Sequence, residues 1–118
     1  MTVGRSLGMI VAFAALTALA AVLGWWNEKR MQGVGRAVDG DSLVLDGERI
    51  RLVGVDAPEL DQICEKEGRP WRCGQASRLA LSRELARGPA LCLSSKRDRY
   101  GRALAVCSVA GLELNAFL

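Results

Sequence analysis

Two Asp-Gly dipeptides, Asp39-Gly40 and Asp46-Gly47, stand seven residues apart between three short runs of strand-forming character. The runs are Val34 to Val38, Ser42 to Leu45, and Arg49 to Val55. Asp-Gly between alternating apolar residues is the strongest short-range hairpin signal, because a primed turn needs residues that accept positive φ. Two such turns in succession predict a meander of three strands. The stretch from Asp56 to Arg72 reads as loop, with Pro58 and Pro70 as breakers. Gln75 to Arg87 reads as a helix stopped by Gly88-Pro89. Its predicted apolar face holds Leu79, Ser82, Leu85 and Ala86, with Leu81 at the border. Ala90 to Ser94 and Arg102 to Val109 read as two further strands around a basic loop. Ala110-Gly111 then turns the chain into an apolar stretch from Leu112, the expected start of a second helix.

Length agrees with one small domain, since 118 residues leave no room for a second beside the amino-terminal segment. Residues Leu7 to Trp26 carry no charge. At ~1.5 Å per residue this run spans ~30 Å, the thickness of a bilayer's hydrocarbon core. It predicts a membrane segment, with Trp25-Trp26 at the interface and Glu28-Lys29-Arg30 just beyond. Ala18-Leu19-Ala20 is a small-x-small cleavage signal, but the apolar run continues past it to Trp25-Trp26, which favours an uncleaved signal anchor over a cleaved leader. The expected units are residues 1–30 as anchor and 33–118 as a mainly β domain with some α. Five strands with a helix between strands 3 and 4 follow the plan of an OB-fold barrel.

All four cysteines, Cys64, Cys73, Cys92 and Cys107, follow the apolar run. An even count behind an export signal reads as two disulfides in an oxidising compartment, with the domain outside the cytoplasm. If Asp98 to Gly101 is a four-residue loop, Arg97 pairs with Arg102, and Cys92 falls opposite Cys107. Cys64 and Cys73 remain to staple the long loop. Four free thiols in the cytoplasm are the alternative. Their spacing lacks a Cys-x-x-Cys zinc knuckle.

The chain contains no His, which excludes a Ser-His triad and any His general base. Acid–base work is left to carboxylates, Lys, Tyr or metal-bound water. Nine acids face four basic residues between Arg36 and Glu67, whereas Lys96 to Arg102 is locally basic. An acidic locus beside a basic one suits a cation-assisted phosphate site. Three motifs sharpen this reading: Val38-Asp39-Gly40-Asp41-Ser42, Arg51-Leu52-Val53-Gly54-Val55-Asp56-Ala57-Pro58-Glu59, and Asp98-Arg99-Tyr100-Gly101-Arg102. In this order, from Gly33 to Leu118, they resemble the staphylococcal-nuclease-like (thermonuclease) family.

That resemblance implies a calcium-dependent nuclease hydrolysing DNA, with RNA left open, by attack of water on phosphorus. The 5′-oxygen would leave, giving 3′-phosphate ends. It implies Asp41, Asp56 and the Ala57 carbonyl as calcium ligands, Ala57 standing where the family commonly has Thr. Arg51 and Arg102 match the arginines on the scissile phosphate, and Glu59 matches the general base. Arg99 and Tyr100 match positions beside the substrate phosphate and sugar. Arg51 and Asp56 share a site only if the strand breaks between them, for which Gly54 is suited. Against the family pattern, the helical part after Leu112 is expected to be cut short. A non-catalytic OB module binding single strands or a protein is the rival, but stacking aromatics are scarce, with Trp71, Tyr100 and Phe117 alone after residue 33. No protein partner is expected for the enzyme.

Overall fold

The computed structural model describes residues 28–117. The expected membrane segment at 7–26 lies outside the described residues. Among the described residues, no helix is long and apolar enough to cross a membrane.

The first strand starts earlier than the sequence suggests and is broken in two. β1 (Lys29–Gly33) and β2 (Gly35–Ala37) are separated by Val34 alone. Lys29 and Arg30 disguise β1 by placing exposed charge directly after the uncharged run, while Met31 faces the core. β3 (Ser42–Leu45) and β4 (Glu48–Leu52) follow. Leu45 pairs with Glu48, and Asp46 and Gly47 between them sit at φ 49° and 76°, a two-residue primed turn. The other Asp-Gly acts differently. Ala37 pairs with Leu43, so residues 38–42 form a wider connection. A Cβ on Gly40 would collide with Ser77 Oγ and the Ala57 Cβ, so glycine here permits close approach rather than positive φ.

The stretch expected as loop contains a hairpin, β5 (Cys64–Lys66) and β6 (Arg69–Trp71), turned by Glu67 and Gly68 at positive φ. Pro70 does not prevent it. Lys66–Arg69 closes the turn as a hydrogen-bonded pair, so at the next pair, Glu65–Pro70, the proline nitrogen points away from the ladder.

α1 (Cys73–Leu85) begins two residues before Gln75, and its buried residues are Cys73, Gly74, Leu81 and Leu85. The expected face therefore rotates. Leu79 is 44% exposed, because two residues from Leu81 is more than half a turn around the helix. The inward stripe instead runs at i, i+4 from Cys73 through half-buried Ser77, which meets Gly40, to Leu81 and Leu85.

β7 (Ala90–Arg97), β8 (Ala103–Val109), β9 (Leu112–Glu113) and α2 (Leu114–Phe117) complete the described chain. The main sheet runs β1-β7-β8-β4-β3-β2, with β9 beside β8; β4 and β8 are parallel and the other pairs antiparallel. β1 and β2 stand at opposite ends of this order yet are one residue apart in the chain. The sheet must curl until its two borders approach. Counting β1 and β2 as one interrupted strand, this half-barrel wall has the five-strand plan, with α1 between the third and fourth. Leu43, Leu45, Ile50, Leu52, Leu81 and Leu114 fill its interior at 1% exposure or less. Each contributes about 1.5–3 kcal/mol by burial.

The β7–β8 register departs from expectation at its loop. Arg97 pairs with Ala103 rather than Arg102, and a bulge between Ser94 and Lys96 absorbs the shift. Past the bulge, Cys92 faces Cys107 as the sequence suggests, and the two are disulfide-bonded with Cα atoms 4.1 Å apart. Cys64 and Cys73 form the second disulfide, with Cα atoms 5.6 Å apart. Asn115, unremarked in the sequence, accepts the Cys107 N–H and donates to the Val53 and Ala105 carbonyls. It fastens the end of β4 where the chain turns towards Asp56.

Candidate active site

β4 buries Ile50 and Leu52, so Arg49 and Arg51 project from the outer face of the wall. Ile50 pairs with Ala103 and Arg51 with Leu104 in parallel register. Alternation then places Arg102 on the same outer face, beside Arg49 and diagonal to Arg51. Three arginines, two from β4 and one from the far end of the β7–β8 loop, thus share one patch of sheet. Arg51 Nη1 donates to the carbonyls of Asp41 (3.3 Å), Leu52 (3.0 Å) and Val55 (2.5 Å), and lies 3.4 Å from Asp41 Oδ2. These bonds lock it against a turn. β4 ends at Leu52, and Gly54 at φ 76° swings the chain round at the break the sequence required.

The turn carries Asp56 and Ala57 to Asp41. The Ala57 N–H donates to Asp41 Oδ2 at 3.0 Å, so the Asp56–Ala57 backbone lies against the Asp41 carboxylate. Asp41 is 8% exposed. Burial and the facing Asp39 carboxyl push the Asp41 carboxyl above its ordinary range, although the Ala57 N–H and Arg51 pull the other way. Burial also works against the charge on Asp39. The Ser42 hydroxyl, the Asp41 carboxyl and two backbone N–H groups outweigh it and hold Asp39 below the ordinary range. Asp39 accepts from Ser42 Oγ at 2.6 Å and from the Asp41 N–H at 3.1 Å. The sequence identified Asp39 only as a turn residue; the second carboxyl two positions from Asp41 was the available signal for a coupled pair.

Glu59 is exposed, and its position is fixed through its backbone. Its N–H donates to Gln62 Oε1, and its carbonyl accepts the Gln62 N–H. The Gln62 carbonyl in turn receives the Gly74 N–H. A Cβ on Gly74 would collide with the Glu59 and Leu60 carbonyl oxygens, so α1 packs directly on this loop. Cys64–Cys73 ties the hairpin base to the same helix start. No hydrogen bond or ion pair joins the Glu59 carboxylate to Asp41, Arg51 or Arg102 among the described residues.

The β7–β8 loop holds Arg102 by Asp98. Asp98 Oδ1 accepts the N–H groups of Tyr100 and Arg102, and Oδ2 accepts Arg102 Nε at 2.8 Å. Slight burial opposes charge on Asp98, but these bonds prevail and lower its pKa. This Asx-type closure was the missed signal in Asp98-Arg99-Tyr100-Gly101-Arg102. The Arg99 and Arg102 guanidinium carbons lie 4.9 Å and 5.6 Å from the Tyr100 ring centroid, and Arg99 Nη2 donates to the Tyr100 hydroxyl. Arg49 reaches across from β4 to the Tyr100 carbonyl.

The acidic cluster offers only oxygen donors. Asp41, Asp56 and the Ala57 carbonyl are hard oxygen donors of the type calcium takes, and a cation held there would relieve the Asp39–Asp41 opposition. Among the described residues no group of three or more acidic, His or Cys side chains is assembled, so carbonyls and water would complete such a shell.

The family model for staphylococcal nuclease homologues matches residues 49–118, a span that includes Arg51, Asp56, Glu59 and Arg102. Over 117 residues the chain is 36% identical to the succinoglycan biosynthesis protein ExoI of Rhizobium meliloti (strain 1021), covering 97% of this chain and 59% of that protein. Over 104 residues it is 36% identical to Protein ParB of Escherichia coli, covering 85% of this chain and 53% of that protein. The chain thus spans little more than half the length of these relatives. With the family's motifs standing on one face and one end of the curled sheet, the chain belongs to the staphylococcal nuclease homologues.

Proposed function

We propose that this chain carries the catalytic centre of a phosphodiester hydrolase acting on DNA, with RNA as a further substrate class. The observation that supports it most is the parallel β4–β8 register, which sets Arg51 and Arg102 on one face while Asp41 and the Asp56–Glu59 segment meet at its end. In this reading the two arginines neutralise charge that grows on the phosphate as it is attacked. Their charge is permanent near pH 7, so their part is electrostatic. Glu59 takes the proton of a water whose oxygen bonds to phosphorus; the bond to the 5′-oxygen breaks, and solvent protonates that oxygen. Arg99 and Tyr100 border the substrate beside Arg102. Asp41, Asp56 and the Ala57 carbonyl would hold calcium, which when bound supplies positive charge at the phosphate oxygens. The two disulfides support placing the domain outside the cytoplasm, anchored or released by the segment at 7–26.

The test is hydrolysis of an oligonucleotide by the full chain with calcium or with chelator. Calcium should be required. Glu59→Gln should lower turnover by about 10²–10⁴ while binding barely changes. Arg102→Ala should also lower turnover, since its charge acts mainly in the transition state. Equal turnover in chelator, or an unaffected Glu59→Gln variant, would overturn the mechanism. A binding module would show no turnover, no effect of Glu59→Gln and weaker binding in Arg102→Ala.

A further inference from the structure

The bulge in β7 decides which face Lys96 occupies. Before it, Ser94 pairs with Ala105 and both are buried; after it, Lys96 pairs with Leu104 and Arg97 with Ala103. In an uninterrupted ladder Ser95 would face Leu104, and Lys96 would pair with Ala103 on the core side. The extra residue moves Lys96 to the outer face, a re-aiming of the kind bulges bring about beside functional sites. Leu104 itself pairs with Arg51 on its other side. Lys96, Leu104 and Arg51 therefore form one row across β7, β8 and β4. The two cations stand two strand spacings, roughly 10 Å, apart. Among the described residues the Lys96 ammonium has no hydrogen bond or ion pair, unlike the Lys29 ammonium, which is held by Glu48.

Resting on the nuclease reading above, we propose that Lys96 forms a second phosphate subsite, taking the phosphodiester next to the one held by Arg51 and Arg102. Half-buried Leu104 gives the intervening sugar or base an apolar floor. An ammonium on a flexible stem suits a phosphate that must be gripped without fixed geometry, whereas the locked arginines suit the reacting one. The subsite selects a chain of at least two phosphodiesters over a single one.

The test compares a single-stranded octanucleotide with a dinucleoside monophosphate, which has one phosphodiester. In the full chain, Lys96→Gln should lower the ratio of octanucleotide to dinucleotide kcat/KM by about tenfold. Lys96→Arg should restore most of it. Arg83→Gln removes an equal charge from the exposed side of α1 and should leave the ratio unchanged. Octanucleotide binding in chelator, read by fluorescence anisotropy, should lose about 0.7 from its salt slope in Lys96→Gln. An unchanged ratio with an unchanged slope, or the same loss in Arg83→Gln, would overturn the subsite. Absence of hydrolysis with the slope difference intact would defeat the catalytic reading and uphold the subsite.

Discussion

Asp41 is pulled in two directions. Its carboxyl sits in a buried turn opposite Asp39, yet the Ala57 N–H and Arg51 address it as an anion. Because folding raises this carboxyl above its ordinary value, the folded state binds the proton more tightly than the unfolded chain. The charged form therefore costs stability at neutral pH, and the cost fades as pH falls through the raised value. Asp39, lowered by its hydrogen bonds, does the reverse: its contribution is present above the unfolded value and is lost as pH falls through the lowered one. In chelator, Asp41→Asn should melt higher than the parent at pH 7, with the gap closing on acidification. A lower melting temperature at pH 7 would mean that the Arg51 contact outweighs burial. At this scale the motifs were legible because Asp41, Arg51, Asp56, Glu59 and Arg102 sit in short local patterns. Asp39 and Asp98 were not, because an aspartate that closes a turn and one that also holds a neighbouring side chain look alike until their hydrogen-bond donors are placed.

Gly74 shows how an element holds a side chain it never touches. The first turn of α1 lies so close to the Glu59 and Leu60 carbonyls that no side chain fits between them. Gly74→Ala should destabilise the fold by about 1–3 kcal/mol, as overpacking does. Turnover should fall further than the lost folded fraction explains, since a shift of ~1 Å at a catalytic group can cost ~100-fold. Calorimetry beside kcat at a temperature where the variant is folded would separate the two effects. The element boundaries were less legible than the motifs. β1 hid behind two charges, β5–β6 behind Pro70, and the face of α1 was misread because Leu79 is apolar but points outward. For β1 and the face of α1 long-range packing, rather than local preference, made the choice; β5–β6 is a local hairpin set by its Glu67-Gly68 turn.

Across the molecule, the two disulfides occupy different environments. Cys92 and Cys107 are fully buried within β7–β8, whereas Cys64 is half-buried at the base of an exposed hairpin. Mild reductant should open Cys64–Cys73 first, and mass mapping of alkylated thiols should find Cys64 and Cys73 labelled before the other pair. Simultaneous labelling would show that the wall opens with the hairpin. Removing Cys92–Cys107 by paired substitution to Ala should cost about 3 kcal/mol in the chain-entropy account for a loop of this length, fifteen residues apart in sequence. The pairing was legible although the loop register was not. The sequence count placed Arg97 opposite Arg102, one step off, and the unforeseen bulge restored agreement at the cysteines.

The strand order also sets a timetable. β1 is the first strand described from the amino terminus, yet the strand it pairs with among the described residues, β7, begins at Ala90. β4 similarly waits for β8, which begins at Ala103. During synthesis β1 therefore has no strand to pair with until the chain from Ala90 onwards has emerged. What can form early is local: the β3–β4 hairpin and, later, β7–β8. Closing the curl should come late, because it pairs residues as far apart as Lys29 and Ser94, and their loop entropy must be met before they stabilise anything. Until then β1 presents an open row of backbone donors and acceptors. The charges of Lys29 and Arg30, which concealed the strand in the sequence, then act as its protection against premature pairing with other chains.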